Sequence, residues 1–137
     1  MPNAIAEAAK AFAAEHGSDL EYSLEVQLRQ RQLPAPVRQY AFASAHGRKF
    51  RADFAWPEHG VIVEVEGGTW GHIRRRDGSE SRGGRHNTPE GFERDCDRSN
   101  LAALLRFRVF RFTAKMVESG KAAELLEMVL RDETGRL

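Results

Sequence analysis

The chain has a single cysteine, Cys96, among 137 residues, so no internal disulfide can form and a cysteine-rich zinc cage is excluded. It has no apolar run near the roughly 20 residues needed to span a membrane. The start, Met1 to Gly17, is alanine-rich but interrupted by Glu7, Lys10 and Glu15. It therefore lacks the basic head and unbroken apolar stretch of a secretion signal. Internal repeats and low-complexity segments are missing too. With 41% hydrophobic and 30% charged residues, what remains has the balance of one globular domain over 1–137. That is enough chain for one core, and it is expected in the cytoplasm with no membrane partner.

The net charge of +1 conceals an uneven distribution. Residues 38–111 carry fourteen Lys or Arg against ten Asp or Glu, whereas the segments on either side carry a slight acidic excess. The basic excess is sharpest between His72 and His86, where Arg74, Arg75, Arg76, Arg82 and Arg85 outnumber Asp77 and Glu80. Arginine's planar fork suits phosphate oxygens. A solvated loop would have the same composition, and charge alone leaves both readings open.

Apolar spacing predicts a first helix over 3–16, within the N-terminal segment 1–17, with Gly17 placed to end it. Ser18-Asp19-Leu20-Glu21 has the form of a capping box, and Leu20, Leu24 and Leu28 continue a second helix to about Gln32. Pro34 and Pro36 stop it. Strands are predicted over Gln39–Ser44, Lys49–Trp56 and Gly60–Glu66, with connections short enough for an antiparallel meander. The Arg- and Gly-rich stretch 67–88 has no apolar period and is expected to be a long loop. Thr88 or Asn87 can cap a helix that carries Phe92, Leu101, Leu104 and Leu105. Phe107–Phe112 reads as a buried strand with basic ends. A last helix over about Lys121–Asp132 places Ala122, Leu125, Leu126, Val129 and Leu130 on one face. The order α-α-β-β-β-α-β-α predicts an α/β domain.

On a strand, neighbouring side chains point to opposite faces. In Val61-Ile62-Val63-Glu64-Val65-Glu66 the valines share one face, and Glu64 and Glu66 share the other, about 6–7 Å apart. Asp53 faces away from Ala52, Phe54 and Trp56. If these two strands pair, Asp53 comes beside Glu64 and three carboxylates converge. Such carboxylates raise one another's pKa unless a cation neutralises them, and a hard divalent ion does so. The same Val-Glu alternation also occurs on ordinary half-exposed sheets, so the residues alone support either reading.

Six pieces in order carry a resemblance: Ser23-Leu24-Glu25, Arg51-Ala52-Asp53-Phe54, Glu64-Val65-Glu66-Gly67-Gly68, Gly84-Arg85-His86, Asp95-Cys96-Asp97-Arg98-Ser99-Asn100 and Arg108-Val109-Phe110-Arg111-Phe112-Thr113. Together they span about residues 20–118 and resemble the PD-(D/E)XK nuclease superfamily. Within it, they are similar to the very-short-patch repair endonucleases and their small phage-borne relatives. The resemblance implies a restriction-endonuclease-like core, a central mixed sheet of about four strands flanked by helices. It also implies Mg²⁺- or Mn²⁺-dependent hydrolysis of DNA phosphodiesters, with nicking as the expected outcome.

By that resemblance Asp53 and Glu64 are acidic metal ligands and the Val65 carbonyl is a further one; Glu66, on the same strand face as Glu64, is expected to join them. Glu25 and His86 are expected to position water or move protons. Glu66 stands where the family usually has lysine, so the missing cation must come from elsewhere, with Arg98 the candidate and Arg94 the runner-up. Arg74, Arg75, Arg76, Arg82 and Arg85 are expected to hold DNA phosphates. Zinc held by His72, His86 and Cys96 fits no standard spacing. Two alternatives stay open: a DNA-binding module of this fold that has lost cleavage, for which Glu66 is the best argument, and a branched-DNA (Holliday junction) resolvase, which would require a dimer. The sequence leaves monomer and homodimer undecided.

Overall fold

A computed structural model describes residues 19–66, 72–74, 80–82 and 88–132, with 72–74 and 80–82 described by backbone alone. The helix predicted over 3–16 lies outside these residues. The chain divides into two compact units: Met1–Pro36 with Ala114–Leu137, and Val37–Thr113. Among the described residues no helix is long and apolar enough to cross a membrane.

The described elements of the first unit are helices. Helix α1 (Asp19–Gln30) buries Leu24 and Leu28. Its neighbours are α3 (Ala114–Glu118), which sequence periodicity did not predict, and α4 (Lys121–Leu130). On α4 the buried stripe is Ala122, Ala123, Leu126, Val129 and Leu130, whereas Leu125, expected to join it, is exposed. Gly120 turns the chain between α3 and α4 at φ +85°, in the left-handed region that favours glycine. The Gln27 side-chain amide donates to the Val117 carbonyl at 3.0 Å, and Arg31 donates to Glu127 at 2.8 Å. These two bonds fasten α1 to the other helices.

The second unit is an α/β arrangement around a four-stranded mixed sheet. Its strands are β1 (Val37–Tyr40), β2 (Ala52–Trp56), β3 (Val61–Glu66) and β6 (Arg108–Thr113), in the order β1-β2-β3-β6. The first three pair antiparallel in chain order, and β6 lies parallel to β3. Between β3 and β6 runs α2 (Pro89–Leu104), with Pro89 in its first turn and the Thr88 hydroxyl accepting from the Gly91 amide at 2.9 Å. Such a cap satisfies one of the donors that every helix start leaves open.

Several boundaries differ from the sequence reading. The strand predicted over Gln39–Ser44 lies at Val37–Tyr40, and the chain then turns through a short 3-10 segment, Ser44–His46. Phe42 and Ala43, read as strand residues, are buried off the ladder in the core. Within the stretch expected to be a loop, β4 (His72–Arg74) and β5 (Glu80–Arg82) pair antiparallel. Main-chain hydrogen bonding sustains such a pair without an apolar period. Strand β6, read as buried, is the last strand of its sheet and buries only Phe112. On α2, Phe92 and Leu104 are exposed, while Leu101, and Leu105 just past the helix end, pack against the core.

That core gathers Ile62 of β3, Ala52 and Ala55 of β2, Ala102 of α2, and Phe42 and Ala43, with Tyr40, Phe50 and Phe107 around them. Phe107 meets Tyr40 and Phe42 edge-on, with ring centres 6.1 and 6.2 Å apart. On the other face of the sheet Phe54, Trp56, Val61 and Val63 are buried as well. The start of β3 is thus enclosed on both sides, and only its end, Glu64–Glu66, is partly open.

Candidate active site in the sheet-bearing unit

The site follows from sheet register. Val37, Ala55, Ile62 and Val109 pair in sequence across all four strands and make one apolar row. Two residues further along each strand, side chains return to the same face. The next row is therefore Gln39, Asp53, Glu64 and Arg111, with Glu64 and Arg111 directly paired and the others set by continuing the same register. Within two residues the face changes from an apolar row, buried at Ala55 and Ile62, to a charged one. Helix α2 follows the same change: Ala102 covers Ile62, and Arg98, one turn earlier, reaches Glu64.

The polar row forms the floor of a cleft of about 770 Å³. Its walls hold Arg48, Lys49, Arg51, Arg94, Arg98 and Arg111 against Asp53, Glu64, Glu66 and Asp95. Among the described residues the lining thus has six cationic against four acidic side chains, an excess of positive charge over an acidic floor.

Asp53 is fixed from two sides. Its Oδ2 accepts the Val65 amide at 2.7 Å, and its Oδ1 is 3.4 Å from the Gln39 side-chain nitrogen. Gln39 adopts φ +49°, a strained setting for a residue other than glycine, and its carbonyl accepts from Arg51 at 3.2 Å. Glu64 pairs with Arg98, and its other oxygen lies 3.9 Å from Arg111 Nε. Burial pushes the Glu64 carboxyl above its ordinary value of 4.5. The Arg98 charge and hydrogen bond oppose that push, Glu66 adds to it, and Arg111 opposes it more weakly.

Glu66 is engaged by Arg111, whose Nε donates to it at 2.8 Å. Burial alone would lower the affinity of Arg111 for its proton. The bond to Glu66 and the charges of Glu66, Glu64 and Asp95 outweigh burial and raise it. Arg98 is held more extensively. Besides Glu64 it donates to the Arg51 carbonyl, and its guanidinium lies 5.6 and 5.7 Å from the Phe42 and Phe50 ring centres. Arg48 stacks over Phe50 at 4.7 Å and pairs with Asp97.

Asp53, Glu64, Val65, Glu66 and Arg98 thus line one cleft, as does Arg94. Glu25 belongs to the helical unit, where it is buried on α1 and accepts from Arg29 at 3.2 Å. His86, Arg75, Arg76 and Arg85 lie outside the described residues, while Arg74 and Arg82 are described only as backbone positions in β4 and β5. Sequence reasoning missed Arg111, Gln39, Arg48, Lys49 and Arg51 as cleft residues. The signal for Arg111 was the parallel pairing of two strands, which places it opposite Glu64.

The donor set suits a hard cation. Asp53 and Glu64 supply oxygen, and Mg²⁺ is commonly held by one or two carboxylates, with waters and phosphate oxygens completing its shell. Among the described residues no three His, Cys, Asp or Glu side chains are grouped to hold a metal ion. Arg98 and Arg111 are the cations that neutralise Glu64 and Glu66 here. Comparison with protein-family models, with curated proteins and with solved structures gives no match.

Proposed function

We propose that the protein is a metal-dependent DNA endonuclease with a restriction-endonuclease-like core, hydrolysing phosphodiester bonds in the cleft of the sheet-bearing unit. The observation that carries this reading is the adjacent placement of Asp53 and Glu64 at the open end of β2 and β3, beneath a rim with cationic excess. An acidic floor alone would repel a polyanion. With Arg48, Lys49, Arg51 and Arg94 around it, the cleft attracts a phosphate backbone, and such contacts give affinity without sequence choice.

Asp53, Glu64 and the Val65 carbonyl would hold Mg²⁺ or Mn²⁺. When bound, the ion supplies Lewis-acid stabilisation of the charge that builds on the phosphoryl group. The chain does the rest by placement. The Val65 amide fixes Asp53, while Arg98 fixes Glu64 and is itself held by the Arg51 carbonyl and two aromatic rings. His86 is the proton-transfer residue of this proposal, by the resemblance of Gly84-Arg85-His86. The Arg74–Arg85 segment adds phosphate contacts.

One observation favours a second reading, a DNA-binding module without cleavage: Glu64 and Glu66 are already neutralised by two arginines. Supercoiled plasmid separates the two. The endonuclease relaxes or linearises it with Mg²⁺ or Mn²⁺ and leaves it intact in EDTA. Intact duplex, mismatched and branched DNA under all conditions would establish the binding module. Cleavage confined to branched DNA would identify a resolvase.

A further inference from the structure

The two arginines beside the acidic floor are held very differently. Arg98 spends its terminal nitrogen Nη2 on Glu64 and on the Arg51 carbonyl, and its side chain is one quarter exposed. Arg111 is about half exposed, and among the described residues its hydrogen bond and close ion pairs run through Nε, to Glu66 at 2.8 Å and to Glu64 at 3.9 Å, while the charge of Asp95 also acts on it. A guanidinium has five N–H donors, and Nε carries one of them. The four donors on its terminal nitrogens, which suit the oxygens of a phosphate, make no hydrogen bond among the described residues, in a cleft whose described lining is net cationic.

The position of Arg111 is set by the fold. It sits opposite Glu64 in the parallel pairing of β3 and β6, and Glu66 is two residues further along the same face of β3. An exposed arginine ordinarily loses much side-chain entropy when it grips a ligand. Here two carboxylates hold it from the Nε side before any ligand arrives, which reduces that cost.

We propose that Arg111 is the cleft's phosphate-binding residue, that its terminal nitrogens take a non-bridging phosphodiester oxygen, and that Glu66 serves as its positioning residue and not as a metal ligand. The proposal rests on the reading of the cleft as a DNA site. The acidic floor is then divided between two roles, with Asp53 and Glu64 facing the metal and Glu66 orienting an arginine. A glutamate at residue 66 has a use in that division, because it sets a cation from the neighbouring strand at the phosphate.

The test is binding of a short fluorescent duplex in EDTA across a salt series, with Mn²⁺ calorimetry on the same proteins. Arg111→Ala is expected to weaken binding about tenfold, the worth of one charge-assisted hydrogen-bonding group. The slope of log affinity against log salt should fall by nearly one unit. Arg111→Lys keeps the slope and recovers part of the affinity. Glu66→Gln should reproduce most of the Arg111→Ala loss, the double variant should be no worse than Arg111→Ala, and Mn²⁺ affinity should be that of wild type. Loss of Mn²⁺ binding in Glu66→Gln with duplex affinity intact would make Glu66 a metal ligand and overturn the assignment. An unchanged slope in Arg111→Ala would overturn it too. A wild type that binds duplex in EDTA yet leaves DNA intact when Mg²⁺ or Mn²⁺ is supplied defeats the endonuclease reading and leaves Arg111 in place, whereas one that binds no duplex defeats both.

Discussion

Two glutamates in this molecule each sit between two arginines, and their carboxyls respond in opposite directions. In the helical unit, Glu127 accepts from Arg31 and lies near Arg131, and its carboxyl is held below 4.5, first by the bond from Arg31. In the sheet-bearing unit, Glu64 lies between Arg98 and Arg111, yet its carboxyl is pushed above 4.5 because burial outweighs both cations. The number of partners is the same. What differs is access to water, which stabilises the charge of Glu127 and is largely denied to Glu64. A carboxylate kept charged at a desolvation cost is a poor structural tie, and sites of chemistry are where such groups collect.

The comparison is sharpest in catalysis. On the proposed endonuclease reading, Glu64→Gln should slow plasmid cleavage about a hundredfold or more, because there it removes a metal ligand and several kcal/mol of transition-state stabilisation. Glu127→Gln should cut at the wild-type rate in the same assay. Next in size is the loss of a partner. Arg98→Gln strands the buried Glu64 charge and should cost about 2 kcal/mol in denaturant unfolding at neutral pH. Arg31→Gln, the matching change at Glu127, should cost far less, since surface pairs contribute little.

Smaller still, and opposite in sign, are the pH dependences. For Glu127 the folded value lies below the unfolded one, so its contribution is complete above 4.5 and is lost as the pH falls through the lowered value. For Glu64 the folded value lies above, so the associated stability is complete below 4.5 and is lost as the pH rises through the raised value. Thermal unfolding across this range should show Glu127→Gln flattening the acid side of the profile and Glu64→Gln the side above 4.5. Flattening on the same side by both would break the comparison.

Much of the frame is readable in the chain itself because local chemistry marks it. The spacing of Leu24 and Leu28, the stops at Pro34 and Pro36, the turn at Gly60 and the Val-Glu alternation of β3 each depend on near neighbours. Gly60 illustrates how such a local mark serves a distant one: at φ +64° it closes the turn after Pro57–His59, and its carbonyl accepts the Arg108 amide at 2.7 Å, starting the β3–β6 pairing. What the sequence does not display is register between strands far apart. Arg111 reads as the basic end of a buried strand, and only the pairing of β6 with β3 brings it to Glu64 and Glu66. Phe42 misleads for the converse reason: its apolar character serves the core and not a ladder.

Calorimetric titration with Mn²⁺ tests the central claim most directly. Asp53, on the cleft floor beside Glu64, and Asp97, which lies on α2 and pairs with Arg48, are both partly buried aspartates of the same unit. Wild type and Asp97→Ala should bind the ion alike, and Asp53→Ala should lose it. Equal binding by the two variants would contradict the account.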